Sequence, residues 1–184
     1  MNDAPRPWYR EPETFIAIAA LVVSISAVVV GLYEASLQRT HDRAEVWPHV
    51  EIQVFTKKTG AEIRLENTGL GPAIIESVVA TVDGQPRHNW HELLRSVGGV
   101  DSLQFSNSSA VQHGLRPGDP VVLADLPAGN LPPDFWKAFG RVGLAVCYKS
   151  AFGEHWIVES KHLGQMTTWK DVDTCSAQPA DVDF

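Results

Sequence analysis

The sequence predicts a mainly β protein: a single N-terminal transmembrane α-helix followed by a β-sandwich that carries one or two short helices. Three observations lead there. A twenty-residue run near the start has no charge. About seven short segments beyond it alternate polar and apolar residues or are rich in β-branched ones, and turn signals separate them at short intervals. The regular strand and helix alternation of a doubly wound fold is missing.

Residues 14–33 read TFIAIAALVVSISAVVVGLY, bounded by Glu13 and Glu34. A helix of that length spans about 30 Å, the thickness of a bilayer's hydrocarbon core. Backbone groups at that depth have no water to pair with, so a lone segment crosses only as a helix. Trp8, Tyr9 and Tyr33 fall where interfacial aromatics belong. A cleaved signal peptide has a shorter apolar stretch and a small-residue cleavage site, and a core helix has a polar face. This run instead continues into EASLQRTHDRAEV, and its polar members are Thr14, Ser24 and Ser26. The reading is a retained anchor between an N-terminal tail (1–13) and a juxtamembrane helix or linker (34–47).

Within the span Ala17, Ala20, Ser24, Ala27 and Gly31 recur every three or four residues. Small residues at that spacing let a second helix approach closely. Ala and Gly are also common in membrane helices, so composition alone is the competing explanation. Arg6 and Arg10 before the span balance Arg39 and Arg43 after it, and the positive-inside count leaves the orientation open.

Pro48 ends the juxtamembrane helix, because it cannot continue a helix and restricts the residue before it. The sandwich is expected over 48–170. Residues 49–55 (HVEIQVF) and 61–65 (AEIRL) alternate as half-buried strands do, with a turn at Thr59-Gly60 between them. The run NTGLGP breaks the chain, and 73–82 (AIIESVVATV) forms a longer strand ending at Asp83-Gly84. Trp90, Leu93, Leu94 and Val97 recur at helical spacing. Strands come next at 102–106 and 121–126 around a Pro117-Gly118-Asp119 turn, then a short helix at 132–139. The last hairpin joins 142–148 to 155–160. Residues 167–169 are expected to pair at an edge, and 171–184 to form an acidic C-terminal tail that is loose from Ser176 to Phe184.

The stretch 49–83 has a strand ending in Asn67-Thr68-Gly69 and a next strand opening on Ala73 after Pro72. It resembles bacterial immunoglobulin-like sandwich domains. The resemblance implies an immunoglobulin-like β-sandwich that binds or scaffolds rather than catalyses. The order of N-terminal span, short charged helix and VWPHVEI is also similar to small single-pass bacterial membrane proteins. That likeness implies an inner-membrane location and no particular activity.

Formal net charge is -7 and no basic cluster exceeds Lys57-Lys58, which removes the footprint needed for a nucleic-acid partner. His88, His91 and Glu92 form H-x-x-H-E. Two imidazoles three residues apart on a helix can share a metal, but no third ligand is identifiable. Exposed histidines beside a buried Trp90 are the plainer reading. Cys147 and Cys175 either form a disulfide tethering the C-terminal tail to the sheet or stay two separate thiols. In the chain-entropy model the bridge contributes about 3.5 kcal/mol, and it requires an oxidising compartment. Phe135, Trp136, Phe152 and Trp156 are the candidate interaction surface, with core burial as the competing reading. No G-x-S-x-G elbow, P-loop or G-x-G-x-x-G occurs.

The function expected is therefore a membrane-anchored, non-enzymatic binding or assembly module, an accessory subunit or scaffold that uses no cofactor. Its partners are the lipid bilayer and either a membrane protein or a second copy, with the soluble domain on the periplasmic side. A ligand-responsive sensor or effector that oligomerises through its helix is the alternative. A membrane-tethered hydrolase or metalloenzyme is the second alternative.

Overall fold

The computed structural model describes residues 12–98, 104–130 and 134–184. They divide into two units, Met1–Ala44 and Glu45–Phe184. The expected tail 1–13 with its Trp8, Tyr9 and arginines lies almost wholly outside the described residues.

Helix α1 (Pro12–Glu45) runs unbroken for 34 residues, so the apolar span and the polar juxtamembrane segment are one helix. Pro12 occupies its first turn, where a missing N–H costs nothing, and the helix stops three residues short of Pro48. It is long and apolar enough to cross a membrane. Phe15, Val23 and Leu32 are exposed by 65%, 67% and 68%, because none of the described residues covers them. The serine hydroxyls are paired within the helix: Ser24 Oγ donates to the Leu21 carbonyl at 2.9 Å and Ser26 Oγ to that of Val22 at 2.8 Å. The helix thus pairs its own hydroxyls, as an apolar medium demands.

The second unit holds, in chain order, β1 (Val50–Lys57), β2 (Gly60–Asn67), β3 (Ala73–Val82), β4 (Gln85–Arg87), α2 (Trp90–Gly98), β5 (Ser106–Asn107), β6 (Gly114–Leu115), β7 (Pro120–Pro127), α3 (Phe135–Phe139), β8 (Val142–Lys149), β9 (His155–Ser160) and β10 (Thr168–Val172). They form two antiparallel sheets, β1-β2-β7-β5 and β10-β9-β8-β3-β4, with β6 also on β3. Alternation along the strands sends Val50, Ile63 and Leu65 from one sheet, and Val78, Ala80, Val146 and Val158 from the other, into a single core. Helix α2 adds Trp90, Leu93 and Leu94, the residues whose spacing predicts it.

Two local features need particular residues. The β3–β4 hairpin turns on Asp83 (φ 51°) and Gly84 (φ 77°), the left-handed pair that a two-residue turn requires. In β3, Ile75 pairs with Tyr148 and Ser77 with Cys147, which leaves Glu76 as a bulge.

The start of the domain is fixed by Asn67, which is wholly buried at the end of β2. Its Oδ1 accepts the N–H groups of His49 (3.1 Å) and Gly69 (3.0 Å), and its Nδ2 donates to the carbonyls of Gly71 (2.7 Å) and Leu115 (3.0 Å). The loop closes directly on the incoming chain, with Thr68 N–H on the His49 carbonyl and Leu70 N–H on that of Trp47. A Cβ on Gly71 would stand 1.7 Å from the Val46 carbonyl oxygen, so the glycines of NTGLGP serve close backbone approach.

Three expectations change. The strand at 102–106 shrinks to Ser106–Asn107, which pairs with Asp125 and Ala124; residues 102 and 103 lie outside the described residues. Helix α3 is described over Phe135–Phe139, and the expected start at 132–133 lies outside. The segment 171–184 is not a tail loose at its end: Asp171 and Val172 belong to β10, Cys175 is bonded to Cys147 and Phe184 is fully buried. Its acidic composition masked the few apolar residues that dock it.

Replacing Asn67 with Ala removes hydrogen bonds to four backbone groups, two of them buried and two half-buried, and is expected to lower unfolding stability by about 3 kcal/mol. Chemical denaturation of the full chain in detergent measures this. Asn67→Asp keeps the acceptor but sets a buried carboxylate oxygen against the Gly71 and Leu115 carbonyls, so at neutral pH it should be no more stable than Asn67→Ala.

Candidate functional site

In β8, Val142, Leu144, Val146 and Tyr148 point into the core, so Gly143, Ala145, Cys147 and Lys149 fall on the opposite face of the sheet. Cys147 is bonded there to Cys175, with the two Cα atoms 5.7 Å apart and the cysteines 28 positions apart in sequence. From Cys175 the chain runs to Gln178, whose Oε1 accepts the Val78 N–H at 3.0 Å. Val78 lies on the stretch of β3 between its pairings with β6 and β4, where no strand offers a carbonyl. The Gln178 carboxamide supplies it and donates onward to the Val182 carbonyl at 3.3 Å. The segment ends at Phe184, edge-on to Trp90 at 5.3 Å between ring centres, while Asp183 N–H donates to the His88 carbonyl at 2.7 Å.

A cleft of about 480 Å³ lies beside this segment, lined by Ile74, Glu76, Gln112, Lys149, Cys175 and Gln178 among others. The bulge brings Glu76 to Lys149, whose Nζ is 2.5 Å from Oε1, and to His155, whose Nε2 is 3.5 Å from Oε2. Gln112 takes φ 64° where its N–H reaches the Ile75 carbonyl at 2.8 Å. The cleft thus combines one half-buried disulfide sulfur, a carboxylate bridged by two nitrogen bases and two carboxamides.

A second cluster sits where the chain enters the domain. His49 lies between Trp47 (5.2 Å, tilted) and Trp169 (4.5 Å, stacked), and Trp169 Nε1 donates to the Val50 carbonyl at 2.8 Å. Trp47 and the neighbouring Leu70 are 48% and 73% exposed. Sequence reasoning passed over this ladder because Trp169 stands 120 residues from His49. The only local signal was an aromatic in each of two adjacent edge segments.

The residues singled out from sequence fare differently. Cys147 and Cys175 are brought together. His88 and His91 are not: His88 precedes α2, with Nδ1 3.0 Å from Glu92 and Nε2 3.5 Å from Asp181, while His91 lies edge-on to Phe105 at 4.7 Å. The reason is capping. Asn89 Oδ1 accepts the Glu92 N–H at 2.9 Å, and the Glu92 carboxylate reaches back to the His88 N–H at 2.9 Å. Hydrogen bonds from the His88 backbone and ring hold the Glu92 carboxyl below the usual range. Among the described residues no group of three or more His, Cys, Asp or Glu could hold a metal.

Phe152 and Trp156 do not form one exposed patch. Phe152 is 51% exposed near the β8–β9 turn, whereas Trp156 stacks on Tyr148 at 5.8 Å against the core. The side chains of Phe135 and Trp136 lie outside the described residues. On α1, Ala17, Ala20, Ser24, Ala27 and Gly31 are all exposed, and the space a Cβ on Gly31 would take is open. No protein-family model matches the chain, and no curated protein matches it in sequence.

Tyr148 anchors the core side of the same strand, its hydroxyl accepting the Val50 N–H at 3.5 Å. Burial pushes this phenol up to about 12. The folded state therefore keeps a proton that the unfolded chain releases near pH 10. The stabilisation is complete below pH 10 and declines as pH rises toward 12. Unfolding free energies across that window should show the decline in wild type and a flatter profile in Tyr148→Phe.

Proposed function

We propose that this chain is a membrane-anchored, non-enzymatic binding and assembly module, an accessory subunit or scaffold of a membrane protein complex. The observation that carries the reading is α1: its apolar surface is exposed along the whole candidate span, and none of the described residues covers it. Such a surface needs lipid or another helix around it. Small residues at Ala17, Ala20, Ser24, Ala27 and Gly31 suit close approach by a partner helix or a second copy, and Ser24 needs no help from that partner because its hydroxyl is already bonded.

The soluble part supports display rather than chemistry. Two antiparallel sheets around one core suit an immunoglobulin-like platform of the kind the NTGLGP stretch resembles, with Trp47 and Leu70 offered at its surface. The Cys147–Cys175 bond supports an oxidising side for the domain where the flanking arginines favour neither, since disulfides persist in oxidising compartments. The domain then faces the periplasmic side of a bacterial inner membrane. The cleft beside Glu76 favours a second reading, in which the domain senses a ligand and the helix transmits the response by oligomerising.

Purification from mild detergent should yield a stoichiometric partner or a defined homo-oligomer; a partner-free monomer overturns the assembly reading. Replacing Ala20, Ala27 and Gly31 together with Leu should weaken that association at least tenfold, whereas Val22 and Val29 replaced with Leu should not. In spheroplasts, a single cysteine engineered at exposed Ser108 of a Cys-free variant should react with an impermeant maleimide before permeabilisation. Labelling only afterwards reverses the assigned orientation.

A further inference from the structure

Residues 173–184 form no strand of either sheet and are held by discrete attachments. These are the bond to Cys147, the Gln178 carboxamide on Val78 N–H, the Asp183 N–H on the His88 carbonyl, the Asp181 carboxylate near His88, the Ser109 hydroxyl on the Phe184 carbonyl, and the packing of Val182 on the core and of the Phe184 ring on Trp90. Where the segment leaves Cys175 it does not pack down, because Cys175, Ser176, Ala177 and Gln178 all line the 480 Å³ cleft. The two ends of the covalent link differ. Cys147 is 5% exposed in a strand paired on both sides, with β3 and with β9, so the strand's position does not depend on the bond. Cys175 is half-buried, and the cleft gives a route to it.

We propose that residues 173–184 are a strap latched by the Cys147–Cys175 disulfide, and that a dithiol reductant releases it and opens the cleft beside Glu76 while both sheets stay folded. The reductant's thiolate attacks Sγ of Cys175, the reachable sulfur, forming a mixed disulfide while the Cys147–Cys175 bond breaks. Cys147 leaves as a thiolate and takes up a proton. The second thiol of the reductant then displaces Cys175, so the reductant ends as its own disulfide and two electrons and two protons have passed to the cysteine pair. Without the bond the strap keeps the Gln178 and Asp183 hydrogen bonds, the Ser109 hydroxyl on the Phe184 carbonyl, the His88–Asp181 contact and the packing of Val182 and Phe184, local attachments outside the sheet ladders that can open without the sheets. Its opening uncovers the Val78 N–H and the cleft wall formed by Glu76 and Lys149.

Amide hydrogen exchange on the full chain in detergent micelles, oxidised or reduced with dithiothreitol, tests the latch. Reduction is expected to speed exchange at least tenfold at Val78 and across 174–184, excluding Pro179, and to leave β8 and β9 unchanged. Cys175→Ser should reproduce that pattern without reductant. Unchanged protection of the strap in either case overturns the proposal. So does loss of protection across both sheets together, which would make the bond a staple of the whole fold.

Discussion

Asn67 has no contact with water, and its carboxamide makes hydrogen bonds with four backbone groups. The four belong to the first residues of the domain, to the loop between β2 and β3, and to β6. Neither sheet alone supplies partners at that point, because the chain is arriving from a helix and leaving a strand at the same place. A carboxamide with two donors and a two-lone-pair acceptor meets the demand in one side chain. Apolar burial then has a defined frame: β1 begins where His49 is held, and β3 begins where Gly71 and Ala73 emerge.

The same rule, that polar groups removed from water be paired, recurs at several other points, with Trp90 Nε1 a buried exception. The serines of α1 bond to their own helix, which makes a long apolar surface compatible with lipid. Gln178 fills the gap in the β3 edge and Trp169 ties β10 to β1. In both cases a side chain from late in the sequence does what a neighbouring strand would otherwise do. The C-terminal residues are therefore structural, and the disulfide limits how far they wander when those weaker bonds break.

Much of the fold was legible in sequence because it is periodic. The uncharged run, the two-residue alternation in β1 and β2, the turn at Asp83-Gly84 and the Trp90-Leu93-Leu94 spacing each report a local geometry, and each appears where it was read. The short strands β4, β6 and β10 were missed or only half seen, since segments of two to five residues carry too little pattern. Of the site residues, H-x-x-H-E offered a ligand spacing beside the plainer reading of exposed histidines next to a buried Trp90, and the structure has the plainer one, with Asn89 and Glu92 capping the helix start. Trp156 likewise follows the core reading that competed with a surface patch.

The sequence by itself determined the length and apolarity of α1, the β character of the remaining chain and the places where it must turn. These are properties of adjacent residues and of the solvent each segment tolerates. Tertiary structure alone decided that Asn67 meets Leu115, that His49 lies against Trp169, that Glu76 bulges toward Lys149 and that the acidic end docks through Phe184. Each of those pairings joins segments far apart in sequence, across the two sheets, across neighbouring strands of one or from the chain's end to the core. Packing fixes those meetings collectively, and no single segment encodes them.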